Sequence, residues 1–113
     1  MERLFVYGSL VPGGSNQHVL VDLDGDWSKA TVRGQLLAEG WGSAQGYPGI
    51  VLDEAGDIVS GHVLSSHGLS TFWDTLDEFE GEDYERRLTS VTLSTGERVE
   101  AYVYVLAPSG FPP

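Results

Sequence analysis

One segment of the chain carries a helical period, and almost everything else reads as short strands broken by glycine-rich turns. Leu69, Phe72, Trp73 and Leu76 recur at i, i+3, i+4 and i+7, the stripe of an amphipathic helix. A parallel sheet needs a long crossover, usually helical, between each pair of strands. This chain has few helices to supply them. The expected class is therefore α+β, with a mostly antiparallel or mixed sheet that is curved or closed into a barrel.

The strands follow from apolar runs and their punctuation. Leu4, Phe5, Val6 and Tyr7 form a short buried strand stopped by Gly8. A loop containing Pro12, Gly13 and Gly14 follows, and Ser15 or Asn16 caps a short helix reaching about Val21. Residues 22–27 read as a turn and 30–37 as a strand. Residues 39–49 hold four glycines and one proline and read as a long loop. Residues 50–52 and 58–64 look like a hairpin around 53–57. The helix spans 69–80, and two strands, 84–93 and 99–106, meet at a turn over 94–97. In the last strand Val99, Ala101, Val103 and Val105 share one face, with Tyr102 and Tyr104 on the other. The length of 113 residues fits one domain, 1–113, with an irregular tail over 108–113.

Charge and composition narrow the function classes. Seventeen acidic against six basic residues give a formal net charge of −11. Binding to nucleic acid draws on clustered Lys and Arg, so a nucleic-acid partner is not expected, nor is an anionic membrane surface. No apolar run approaches the roughly 18 residues of a transmembrane helix. The apolar N-terminal stretch is shorter than a signal peptide's core of about 7–15 residues. The chain has no cysteine, which excludes disulfides, thiolate metal sites and a cysteine nucleophile and suits a reducing compartment. The expected location is the cytoplasm. Monomer and homodimer are equally compatible with the composition.

Glu80 is the most informative single residue. It lies four positions after Leu76, under the apolar stripe, whereas Glu78 points roughly the opposite way. Phe79 is expected on the stripe as well. Gly81 reads as a helix stop. An acid at the C-terminal end of a helix, aimed at the core, is disfavoured as an anion by the helix dipole and by desolvation. General-base work calls for such a raised proton affinity. A second reading is a helix-end Glu that bends out to water or pairs with Arg86 or Arg87.

The other suggestive element is Tyr7-Gly8-Ser9-Leu10. Gly8 lets a buried strand turn sharply without a Cβ. The amide groups that follow can converge on one point as an anion nest, with the Ser9 hydroxyl as a further donor. An ordinary strand-ending turn is the plain alternative. His18, His62 and His67 lack metal-ligand spacing, so no metal is expected. Trp27, Trp41 and Trp73 read as packing residues, and the 39–49 loop is a candidate lid.

Taken together, these pieces resemble the gamma-glutamylcyclotransferase-like family, also known from plant avirulence-induced homologues. The match is carried by Phe5-Val6-Tyr7-Gly8-Ser9-Leu10 with Gly13 and Asn16, by Val32-Arg33-Gly34-Gln35-Leu36, and by Gly46-Tyr47-Pro48-Gly49. It is carried last by Leu76-Asp77-Glu78-Phe79-Glu80-Gly81 with Tyr84, Arg86 and Arg87 behind. The first and last pieces are the most specific, and the order spans about residues 4–105. The resemblance implies a small α+β fold around a curved or barrel-like mixed sheet, with one main and one short helix. It implies cleavage of gamma-glutamyl amides by cyclisation, in which the substrate's α-amine attacks its own γ-carbonyl to give 5-oxoproline and a free amine or amino acid.

The family's catalytic Glu falls on Glu80, and Tyr7, Gly8, Ser9 and Leu10 fall on the loop that binds the glutamyl moiety. Tyr84 matches a Tyr-x-Arg element that closes the pocket or bonds the substrate, and half-buried packing is its plain alternative. The two arginines are expected to pair with nearby acids. The nucleophile belongs to the substrate, so no cofactor, metal or protein nucleophile is required. The competing reading is a non-catalytic small-molecule binding domain on the same fold, for which an unpaired buried acid has little use.

Overall fold

The computed structural model describes residues 2–7, 20, 23–37, 49–81 and 84–106. Its elements are β1 (Glu2–Val6), β2 (Asp26–Leu37), β3 (Gly49–Leu52), β4 (Asp57–Ser66), a 3-10 helix (His67–Thr71), α1 (Trp73–Glu80), β5 (Tyr84–Leu93) and β6 (Arg98–Leu106). The strands form one sheet in the order β3-β2-β4-β1-β6-β5. Every pairing is antiparallel except β1 with β6, where Leu4 faces Tyr102 and Phe5 faces Val103. Two further pairs, Ala30 with Leu93 and Thr31 with Thr92, join β2 to β5. They close β1, β4, β2, β5 and β6 into a five-stranded barrel, with β3 as an extra strand on β2.

Alternation along the strands sorts the apolar residues into two layers. Phe5, Val32, Val59, Val63, Val91, Val103 and Val105 fill the lumen. Leu4, Val6, Leu64 and Tyr104, on the opposite pleats, are covered from outside by Leu69, Trp73 and Leu76. The valine face and tyrosine face expected of β6 are both present.

The helical segment differs from the single helix read from its period. Ser66 caps a 3-10 helix by accepting the Gly68 N–H at 3.1 Å while its hydroxyl donates to the Asp24 carbonyl. The backbone then breaks step at Phe72 (φ −111°, ψ −7°), and the α-helix begins at Trp73. Counting from there, at about 100° per residue, Glu80 falls within about 20° of Trp73, whereas Phe79 lies about 120° away. Phe79 is accordingly 42% exposed, against the sequence expectation, and Glu80 is half-buried.

Two other expectations need correction. The predicted turn over 22–27 ends early, since β2 begins at Asp26 and includes Trp27. The predicted hairpin of β3 and β4 does not form. Gly34 pairs with Leu52 on one side of β2 and with Asp57 on the other, so the two strands flank β2 rather than each other. The connecting turn passes close over β2. A Cβ on Gly34 would sit 2.6 Å from the Val51 carbonyl oxygen, and one on Gly56 2.8 Å from the Gly34 oxygen. Bare backbone at both positions permits the crossing. The predicted short helix before Val21, the 39–48 loop and the tail lie outside the described residues.

Candidate active site

Glu80 ends α1, and Gly81 (φ 82°) stops the helix, its N–H donating to the Asp77 carbonyl at 3.1 Å. Only glycine takes up such a positive φ without strain. Desolvation by burial pushes the Glu80 carboxyl up to about 7. Neither nearby arginine offsets this. Arg86 pairs with Asp77 at 3.5 Å and Arg87 with Glu85 at 2.8 Å. The pairing of the arginines with acids matches the sequence expectation, and neither acid is Glu80.

Tyr7, just past β1, stacks on Phe5 with ring centroids 6.3 Å apart. Its hydroxyl donates to the Tyr104 carbonyl at 2.6 Å and accepts the Ile50 N–H at 3.2 Å. Burial pushes its phenol well above the ordinary tyrosine range. The Ile50 N–H opposes that rise, and the charges of Tyr84 and Glu80 add to it. Tyr7, Tyr84 and Glu80 thus share one electrostatic neighbourhood, reached from three elements. Tyr84 is half-buried at the start of β5 and packs against the outer apolar layer, so its packing reading also stands. Gly8, Ser9 and Leu10 lie outside the described residues, as do His18 and Trp41.

The structure adds residues that sequence reasoning did not assign to the site. The Tyr104 hydroxyl donates to Asp77 Oδ1 at 2.7 Å. Burial, the bond to Asp77 and the charge of Asp77 push its phenol up, Arg86 opposes them, and Glu80 adds a smaller rise. Arg86 lies over the Trp73 ring at 4.5 Å and the Tyr102 ring at 5.4 Å, and those two rings meet edge-on at 4.9 Å. Trp73 in turn donates its indole N–H to Glu2 at 2.5 Å. The available signal was the tyrosine face of β6, opposite the valines, which marked aromatic groups with polar tips on the helix side.

A cavity of about 560 Å³ opens beside Tyr7, bordered also by Lys29, Thr31, His62, Thr92 and Ser94. Among the described residues no group of three or more His, Asp or Glu is placed to hold a metal ion. No described helix is long and apolar enough to cross a membrane.

A small mixed barrel with one helix laid on its outside is a fold shared with several solved structures. An AIG2-like protein from Mus musculus is 24% identical, with a TM-score of 0.71, over 100% of this chain and 84% of that one. A solution structure from Arabidopsis thaliana is 29% identical, with a TM-score of 0.68, over 99% of this chain and 75% of that one. YkqA from Bacillus subtilis is 24% identical, with a TM-score of 0.70, over 93% of this chain but only 35% of that one. No curated protein matches the chain. The family model for gamma-glutamyl cyclotransferase, AIG2-like proteins matches residues 4–112, and the chain belongs to that family.

Proposed function

We propose that this protein is a gamma-glutamyl amide cyclotransferase with Glu80 as its acid/base. The observation that carries the reading is the Glu80 carboxyl: half-buried, without an ion pair among the described residues, raised by desolvation to about 7, and felt electrostatically by Tyr7. A carboxyl with that proton affinity changes state near neutral pH, where general acid–base catalysis is most effective.

The chemistry needs little else. The substrate's α-amine is mostly protonated at neutral pH. Glu80 takes that proton, and the free amine attacks the γ-carbonyl of the same molecule. The ring nitrogen sheds its second proton to solvent, the C–N bond to the leaving amine breaks, Glu80 returns the proton it took to the leaving nitrogen, and 5-oxoproline is released. Attack within one molecule is governed by orientation, which a fitted pocket supplies. Tyr7, held neutral and fixed by two hydrogen bonds, forms one wall, and Gly8, Ser9 and Leu10 follow it as the glutamyl cradle. Tyr84 closes the opposite side. This reading places the enzyme in the cytoplasm as a single domain acting on small molecules without a cofactor.

The test is release of 5-oxoproline from a panel of gamma-glutamyl amino acids and amines, on wild type and on Glu80→Gln. Turnover in wild type that collapses in the near-isosteric variant supports both reaction and base. In wild type kcat/KM rises about tenfold per pH unit up to about 7, the value burial gives Glu80. Equal turnover in both proteins removes Glu80 from the mechanism. Absence of turnover across the panel returns the weight to a binding domain on this fold.

A further inference from the structure

Asp77 and Glu80 are one helical turn apart on α1, so their side chains are neighbours. They live differently. Asp77 holds two partners, the Arg86 guanidinium at 3.5 Å and the Tyr104 hydroxyl at 2.7 Å, and Glu80 has no ion pair among the described residues. Arg86 is the only basic residue shown ion-paired to α1 among the described residues. It is fixed from three directions, by Asp77 and by the faces of Trp73 and Tyr102. Its Nη1 is nevertheless buried with no hydrogen-bond partner among the described residues. A buried guanidinium donor left unmatched is costly, and a carboxylate within reach would satisfy it.

We propose that Asp77 is a positioning residue that holds Arg86 away from Glu80, keeping the Glu80 carboxyl unpaired. Asp77 supplies the carboxylate that Arg86 requires, and the Tyr104 hydroxyl fixes the Asp77 rotamer so that the guanidinium stays on the Trp73 and Tyr102 rings. Three other carboxylates stand on α1. Asp74 and Glu78 are exposed, about 100° and about 140° round the helix from Trp73, whereas Glu80 is half-buried within about 20° of the ring that carries Arg86. Deprived of Asp77, Arg86 therefore turns to Glu80. Among the described residues, the ionisable groups that interact with Glu80 or share a partner with it are Tyr7 just past β1, Tyr84 and Arg86 from β5, Tyr104 from β6 and Asp77 from its own helix, with Asp74 and Glu78 on the exposed side of α1. The three tyrosines are uncharged at neutral pH. Arg86 is then the one cation in that set able to alter the Glu80 proton affinity. An opposite charge within about 4–6 Å lowers a carboxyl pKa by about 1–3 units.

This inference rests on Glu80 being the titrating group of the proposed function, but its test does not require turnover. The Glu80 carboxyl is followed by carbon NMR through a pH titration, its signal assigned by its loss in Glu80→Gln. In Asp77→Asn the Glu80 midpoint is expected to fall by one pH unit or more. In Asp77→Glu, which keeps a carboxylate for Arg86, it stays within a few tenths of wild type. Where wild type turns over, the acid limb of kcat/KM moves down by the same amount. Removing one negative charge at a distance shifts the midpoint by only a few tenths. A change of that size in Asp77→Asn, or an equal fall in Asp77→Glu, overturns the proposal. The near-UV circular dichroism of each variant confirms that Trp73 keeps its packing.

Discussion

The lumen of the barrel and the layer outside it are built from different chemistry. The lumen holds Phe5, Ile50, alanines and a run of valines, and every buried member of that cluster is apolar. The outer layer, under the 3-10 helix and α1, mixes Leu4, Val6, Leu64, Leu69 and Leu76 with Trp73, Tyr84, Tyr102 and Tyr104. Those aromatics carry an apolar body and a polar tip. The tips and their partners make a network that reaches Asp77, Arg86 and Glu2. The lesson is a separation of tasks within 113 residues. An apolar lumen carries packing, and burial beside the outer layer raises the proton affinity of one carboxyl. Tyr7 joins the two, with its ring on Phe5 and its hydroxyl on the Tyr104 carbonyl.

Breaking the outer layer at its chemical end has the largest expected effect. Glu80→Gln lowers 5-oxoproline release by about 10²–10⁴-fold, the usual range for losing a general acid/base, with the fold intact. The converse lies in the lumen. Phe5→Ala lowers unfolding free energy by about 3–5 kcal/mol in a denaturant titration. A comparable loss from Glu80→Gln would erase the separation.

A smaller effect sharpens the comparison. Glu80 binds its proton more tightly when folded, at about 7, than an ordinary glutamate does at 4.5. A raised carboxyl adds stability below about 4.5 that is lost as pH rises through about 7. Above that window wild type keeps a buried charge that Gln lacks. Glu80→Gln is therefore more stable than wild type at pH 8, by on the order of 2 kcal/mol given its partial solvation, and the advantage disappears near pH 4.5. Denaturant midpoints at the two pH values check it. Smallest is Tyr104→Phe, which removes the hydroxyl from Asp77 and costs about 1 kcal/mol, read as a modest fall in melting temperature.

Strand runs, the two faces of β6 and the position of Glu80 were all legible in the sequence, because alternation and helical phase are local properties. Which strand sits beside which is not local. Residues 50–52 and 58–64 carry the signals of a hairpin, yet both pair with β2, because Gly34 and Gly56 let the backbone cross where side chains would collide. The break at Phe72 was hidden for a related reason. A 3-10 turn and an α-helix both bury Leu69 and Trp73, and only the later residues reveal the change of phase through Phe79. Within the candidate site, Glu80 was visible as an acid on an apolar face. The engagement of Asp77 by Arg86 and Tyr104 was not, since it joins residues 9 and 27 positions apart.

The closure of the barrel has a kinetic consequence. β2 meets β5 through two residue pairs, whereas it meets β4 through nine. The β1–β6 junction also rests on two pairs, but Leu4, Phe5 and Val103 there are buried, whereas Thr31, Thr92 and Leu93 are only half-buried. Separating β2 from β5 therefore interrupts the least structure, and local opening follows the path of least loss. Unfolding then begins as a zipper parting at Ala30, Thr31, Thr92 and Leu93. Amide exchange at the junction runs ahead of exchange along the longer β2–β4 ladder.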